Sequence, residues 1–270
     1  MVNSMKDRFL RWITEHEKLL YFIGLLACAL CTWSLYRCNV APFGILLADL
    51  ILLLIPPFVI AGLRSGALNK AVLRYQKECD PEILLHECAR QIPTMKASEY
   101  KSLLLFNYYT AQHMLGEYQK ALDGYLSLDL GRSKTRPTVT NFAYCNNLSD
   151  VYDLLGQVES ANHWYREATE IYRSLSKLEQ VAYRSTLILL EAQNCIRNRI
   201  DLDRALQSID AMPEQDGVIA VSHAITRAQV LLLKNEPEQA RVHLNYVIEH
   251  GNKLALLPEA RELLKGIEQS

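Results

Sequence analysis

The side chains with chemical potential are scattered, and their spacing decides what they can do. The chain has seven cysteines and seven histidines, the residue types that ligate metals or act as nucleophile and base. Cys79, His86 and Cys88 lie close together, but His86 and Cys88 are two residues apart on a predicted helix. That is about 200° around the axis, so they cannot face one ion. Cys28 and Cys31 have the spacing of a redox pair, yet they sit inside an apolar run and read as its filler. His113 and His163 fall on predicted helices with no carboxylate or cysteine placed beside them by the sequence, which leaves solvated or packing histidines as the default. No glycine-rich phosphate loop, serine elbow or zinc-protease helix occurs. The expectation is a protein with no catalytic residues, no metal and no cofactor. Nucleic acid is excluded on charge, since 29 basic residues balance 30 acidic ones where a nucleic-acid binder would be clearly basic. The one basic cluster, Arg132, Lys134 and Arg136, falls in a predicted loop. It reads as solvated, with contact to anionic lipid headgroups as the second reading.

The elements that would position these groups divide the chain. From Leu19 to Leu63 the only charged side chains are Arg37 and Asp49. Leu19–Tyr36 and Phe43–Leu63 are long enough to cross a hydrocarbon core of about 30 Å as helices, and the short link between them makes an antiparallel pair. Basic residues flank both ends (Lys6, Arg8, Arg11, Lys18; Arg64, Lys70, Arg74, Lys77), whereas the link has Arg37 alone. The positive-inside rule then predicts an integral, two-span protein of the plasma membrane with both termini in the cytosol, where Cys79, Cys88, Cys145 and Cys195 stay reduced. A lipoprotein-like signal at Leu25-Leu26-Ala27-Cys28 is the rival reading of the first span, against which the apolar run continues past Cys28. Residues 1–18 read as an amphipathic helix on the inner leaflet or as an extension of the span. Asp49, six residues into the second span, is costly there if ionised. It either pairs internally with Thr32 or Arg37, docks onto a polar group of another membrane protein, or handles protons or ions. Pro56-Pro57 predicts a kink.

Beyond an adaptor at 64–98, the pattern turns to helical periodicity with internal repeats over 99–270. Gly116, Ala121 and Tyr125 are repeated at the same offsets by Gly156, Ala161 and Tyr165. The glycine suits a tight turn that needs a left-handed backbone, the alanine a close approach of two helices, and the aromatic the groove between neighbouring hairpins. Two degenerate units follow, with Ile200, Ala205 and Ile209, then Asn235, Ala240 and Leu244, Pro237 opening the last helix. The small-residue column at 121, 161, 205 and 240 has periods of 40, 44 and 35, so the first two carry insertions such as the polar 131–137. Leu256–Ile267 reads as a capping helix.

These residues at these offsets resemble the tetratricopeptide repeat, a helix-turn-helix unit that stacks into a solenoid. The fold expected is all-α, a transmembrane helical hairpin followed by a tetratricopeptide-like α-solenoid. The resemblance implies that the first helix of each hairpin lines a groove for a protein or peptide ligand. Aligned on the turn, the inward residues are Phe106, Thr110, His113, Asn146, Asp150, Asp153, Leu190, Asn194, Arg197, Gln229 and Leu232. The family's paired lysines and asparagines for a terminal carboxylate are absent at those positions, and Asp150 and Asp153 suit a basic or polar ligand. The function expected is that of a membrane-anchored, non-enzymatic scaffold or adaptor. The alternative is an accessory subunit of a membrane transport or assembly complex, docked through the hairpin and Asp49 onto a membrane protein.

Overall fold

The computed structural model of the chain describes residues 17–37, 61–95, 98–128, 130 and 138–269. Every regular element among them is helical. They are α1 (Glu17–Arg37), α2 (61–78), α3 (Pro81–Gln91) with a 3-10 turn (Ile92–Thr94), α4 (Glu99–Met114), α5 (Tyr118–Leu126), α6 (Val139–Leu154), α7 (Val158–Ser174), α8 (Lys177–Ala182), α9 (Arg184–Asn198), α10 (Leu202–Asp210), α11 (Gly217–Leu233), α12 (Pro237–His250) and α13 (Leu256–Gln269). The chain divides into two compact units, Met1–Lys70 and Ala71–Ser270.

In the first unit, Thr32 Oγ1 of α1 donates to the Cys28 carbonyl at 2.9 Å, and the Arg37 guanidinium lies 5.1 Å from the centroid of the Trp33 ring. The expected membrane topology is overturned here: among the described residues, no helix is long and apolar enough to cross a membrane. The two-span placement with cytosolic termini is corrected accordingly, and with it the transmembrane hairpin of the expected fold. The physical reason lies in the make-up of α1. Its charge-free stretch has only eighteen residues, at the short end of the length that spans, bounded by Lys18 and Arg37 and diluted by Gly24, Thr32 and Ser34. The segment before Glu17 lies outside the described residues, as does the second expected span up to Ile60, including Asp49 and Pro56-Pro57.

The second unit is a solenoid-like stack of helical hairpins. Local sequence starts its helices. Asp80 caps α3, its carboxylate accepting from Glu82 N–H at 3.1 Å, and Ser98 caps α4 through Lys101 N–H at 3.2 Å. Thr138 with Asn141 and Ser176 with Glu179 form reciprocal capping boxes for α6 and α8, each satisfying orphan amides of a first turn. Four hairpins, α4–α5, α6–α7, α9–α10 and α11–α12, end their first helix in one way. At Gly116, Gly156, Arg199 and Asn235 the backbone turns left-handed, with φ of 85°, 72°, 53° and 63°. In each, that residue's N–H reaches back three residues and the next N–H reaches back five, as in Gly116 to His113 at 2.9 Å and Glu117 to Gln112 at 2.9 Å. This closure satisfies the last carbonyls of the helix.

Ala121, Ala161, Ala205 and Ala240 are all at most 4 % exposed, as close helix approach requires. In the third hairpin the left-handed residue is Arg199, not Ile200, and Asp201 is left-handed as well at φ 49°. That hairpin has one more residue between the turn and its alanine. The long period before it is accounted for by α8, inserted between α7 and α9. Residues 131–137 lie outside the described set.

Packing sorts the helices into layers. α4 touches α6, α6 touches α9, α9 touches α11 and α11 touches α13, while α5, α7, α10 and α12 back them from outside. The series then returns to its start. Ala255 N–H donates to the Met114 carbonyl at 2.9 Å and Lys253 N–H to the Cys79 carbonyl at 3.2 Å. The Lys253 ammonium pairs with Asp80 at 2.9 Å and with Glu82 at 2.5 Å, and Asn252 Nδ2 donates to the Glu78 carbonyl at 2.8 Å. Gly217, at φ 56°, sits against the Gln76 carbonyl so closely that a Cβ there would overlap it. The inner helices of this unit therefore line a space that remains open on part of its boundary.

Candidate functional site

That space is a cavity of about 350 Å³. Its wall is drawn from the inner helices together with Tyr118 at the start of α5 and the segment 255–259. Leu189, Leu190, Ile196, Val218, Ile219, Ile225 and Leu256 supply the apolar part. The polar part is concentrated near the ends of the inner helices, one to two turns before each hairpin turn.

His113, in the last turn of α4, is 3 % exposed and points Nε2 at Asp150 Oδ2, 3.1 Å away. Its Nδ1 is buried without a hydrogen-bond partner among the described residues. The Arg197 side chain, near the end of α9, is 2 % exposed. Its Nε forms an ion pair with Asp153 Oδ1 at 2.9 Å, Nη1 donates to Asn162 Oδ1 at 3.0 Å, and Nη2 reaches Ser149 Oγ at 3.4 Å. Ser149 in turn donates to the Ala161 carbonyl at 3.0 Å, so this guanidinium is tied into the α6–α7 hairpin. Across the cavity Gln193 donates to Thr226 Oγ1 at 3.0 Å and to Gln229 Oε1 at 3.2 Å, and Gln229 donates to Glu259 Oε1 at 2.6 Å.

The electrostatics are those of an acid excess. Asp150, Asp153 and Glu259 face Arg197 as the one guanidinium among the described residues of the wall. Burial raises the Glu259 carboxyl above its usual range, and the nearby Asp150 and Asp153 raise it further, against the Gln229 hydrogen bond. Burial also raises Asp153, and outweighs the lowering by Arg197. The Tyr118 hydroxyl is raised by burial and then by Asp150 and Glu259. Like charges held together in a partly dry site oppose their own ionisation. The thiols elsewhere in this unit are not poised to react: burial pushes both Cys88 and Cys145 up to about 12. Among the described residues no group of three or more His, Cys, Asp or Glu side chains converges on a metal position.

Of the residues that the sequence placed inward, His113, Asn146, Asp150, Asp153, Leu190, Arg197 and Gln229 line this cavity. Four others are placed elsewhere. Phe106 is buried in the aromatic core. Thr110 is held in a hydrogen-bonded triad with Tyr125 and Asn147. Asn194 accepts from Asn198 Nδ2 at 3.1 Å outside the cavity wall, and Leu232 is likewise not part of it. Phe106 and Thr110 depart because the inner face of α4 meets the cavity only in its last turn. His113 has the carboxylate partner that sequence alone did not supply. Glu259 and Tyr118 went unanticipated: α13 read as a cap, and nothing local signals that it returns to the first hairpin.

Comparison with protein-family models, curated proteins and solved structures finds no match to the chain. Its function is therefore argued from the site.

Proposed function

We propose that the protein is a non-enzymatic scaffold or adaptor, built of tetratricopeptide-like hairpins, whose inner cavity receives a segment of a protein or peptide partner. The observation that carries this reading is the cavity wall, assembled from the first helices of successive hairpins. Its mixture of leucine and isoleucine with helix-borne Asn146, Gln193 and Gln229 also supports it. Amide side chains offer a donor and an acceptor together, which is what a peptide backbone demands, and the apolar patches between them suit side chains. A non-enzymatic role is supported by the commitment of Arg197 to Asp153 and by the Cys88 and Cys145 thiols, held protonated through burial.

Peptide display against the immobilised full chain tests the proposal. Enriched peptides are expected to lose about tenfold or more in affinity, equal to 1.4 kcal/mol or more, when Ser222→Trp fills the cavity. Val242→Trp, on the outer helix α12 where Val242 is 66 % exposed, should bind them as the parent does. Failure to enrich any peptide, or equal binding by Ser222→Trp with its fold intact by circular dichroism, would overturn the reading.

A further inference from the structure

We infer that the partner segment enters the cavity with a basic side chain, lysine or arginine, seated between Asp150 of α6, Glu259 of α13 and His113 of α4. This rests on the cavity being the binding site, as proposed above, and adds the chemistry of the occupant.

Three independent features of the wall point the same way. The first is charge: three carboxylates face one guanidinium among the described residues of the wall, and Arg197 is already committed to Asp153 at 2.9 Å. Asp150 and Glu259 are left with no fixed cation opposite them in the wall. The second is the proton inventory. His113 has Nε2 facing Asp150 at 3.1 Å, so in the neutral imidazole the N–H sits there and Nδ1 is an acceptor. That Nδ1 has no hydrogen-bond partner among the described residues, on a side chain that is 3 % exposed and lines the cavity. A buried acceptor without a donor keeps the full penalty of its lost hydration, and a ligand rich in N–H groups relieves it. The third is the backbone. His113, Asp150 and Arg197 stand near the C-terminal ends of inner helices, and each such end carries about half a negative charge.

A metal ion is not the cation that fits. The acidic and imidazole groups come from different helices, and no three of them converge on one metal position among the described residues. Spread acceptors instead match an ammonium or guanidinium, whose several donors diverge. The apolar wall at Leu190 and Ile225 suits the methylene stem that carries the charge. The raising of Glu259 by the nearby Asp150 and Asp153 is also relieved when a cation lies beside it.

The test uses the full chain and two kinds of probe. Peptides enriched by display should share a basic position, and replacing it with norleucine, which keeps the stem and removes the charge, should weaken binding about tenfold or more. Against the D150N/E259Q variant the two peptides should bind alike. Glu259→Gln alone, which retains the Gln229 contact, should narrow the difference by an intermediate factor and guards against a double variant that does not fold. The second probe is n-pentylammonium set against n-pentanol, followed by NMR shifts of cavity residues; the cation alone should bind, and the double variant should abolish it. Enriched peptides that tolerate norleucine would sink the inference and leave the adaptor reading standing. Absence of any enriched peptide, with pentylammonium still binding through Asp150 and Glu259, would sink the adaptor reading and retain the cation site. If neither probe discriminates charge, the inference fails.

Discussion

The first two hairpins and the last two share one turn geometry but are joined by different side chains. Between α4 and α7 the seam is aromatic: Tyr125 lies 5.8 Å from Phe106 and 6.2 Å from Tyr144, ring centre to ring centre, and Tyr144 lies 6.0 Å from Trp164. Between α9 and α11 the seam is aliphatic and small, formed by Ala192, Ala205, Ile209 and Val230. The polar groups threaded through the two halves differ in the same way. In the first half the Tyr125 hydroxyl donates to Thr110 Oγ1 at 3.1 Å and accepts from Asn147 Nδ2 at 3.0 Å, a neutral set with partners. In the second half the chain of amides from Gln193 through Gln229 ends on a carboxylate, Glu259. Aromatic rings fill wider seams but bring hydroxyls that must be satisfied. Aliphatic seams carry no such obligation, and the charge is left at the cavity wall where a ligand can use it.

If the aromatic seam is the mechanically coupled half, substitutions there should exceed those in the aliphatic half. Tyr125→Ala is expected to cost about 3–5 kcal/mol. Tyr125→Phe keeps the ring but strands a donor from Asn147 in a buried site, and should still cost about 1–3 kcal/mol. Ile209→Val, which removes one buried methyl group, should cost about 0.5–1.5 kcal/mol. Urea unfolding monitored by circular dichroism measures all three. If Tyr125→Phe proves no more costly than Ile209→Val, the hydroxyl triad contributes nothing and the contrast between the seams reduces to volume.

The second comparison is between neutral and acidic polar chains. Because Glu259 is raised in the folded state, the native protein holds a proton to higher pH than the unfolded chain does. In acid below the ordinary carboxyl range both states are protonated and no cost arises. As pH rises from that range through the raised value, the unfolded chain ionises first and stability falls; the loss is complete above the raised value. Glu259→Gln removes this slope. It should match the parent in strong acid and exceed it in stability at neutral pH, with a residual slope of the same sign from Asp153. Tyr125→Phe should lower stability by the same amount across that window, since nothing in its triad titrates there. A Glu259→Gln variant less stable than the parent at neutral pH would show that the ionised carboxylate is held by contacts stronger than its burial cost.

These contrasts also define how far the sequence could be read. The turn glycines and the four alanines were legible because each role allows few residue types. The aromatic column was legible for Tyr125, which is fully buried, and less so for Tyr165, which is half-buried. Ile200 misled because a left-handed turn needs a conformation and not a glycine, and Arg199 supplies it. Seven of the inward residues were placed by counting back from the turn. Phe106 and Thr110 were not, since the wall uses only the final turn of α4. Glu259 was invisible because closure depends on contacts between residues 78–82 and 252–253, more than 170 positions apart. The apolar run at Leu19–Tyr36 read as a span on its freedom from charge, but it stands at the short end of spanning length and carries Gly24, Thr32 and Ser34, and no described helix is long and apolar enough to cross a membrane.

The shared turn gives the last contrast, and it tests whether the hairpins are equivalent at all. Gly156 has open space around the position of a Cβ, so Gly156→Ala meets no clash and should cost only the left-handed strain, about 1–2 kcal/mol. At Arg199 the same strain is already present at φ 53°. Arg199→Gly relieves it, offset by the greater freedom that glycine has in the unfolded chain, about 0.5–1 kcal/mol. The expected result is a small net stabilisation, up to about 1 kcal/mol, in a hairpin that would then carry the same turn residue as the first two. Asp201 keeps its own left-handed backbone in that variant, at φ 49°. If Arg199→Gly destabilises the fold, the extra residue in the third turn is held by the arginine side chain itself, and the third hairpin is a distinct unit and not a drifted copy of the others.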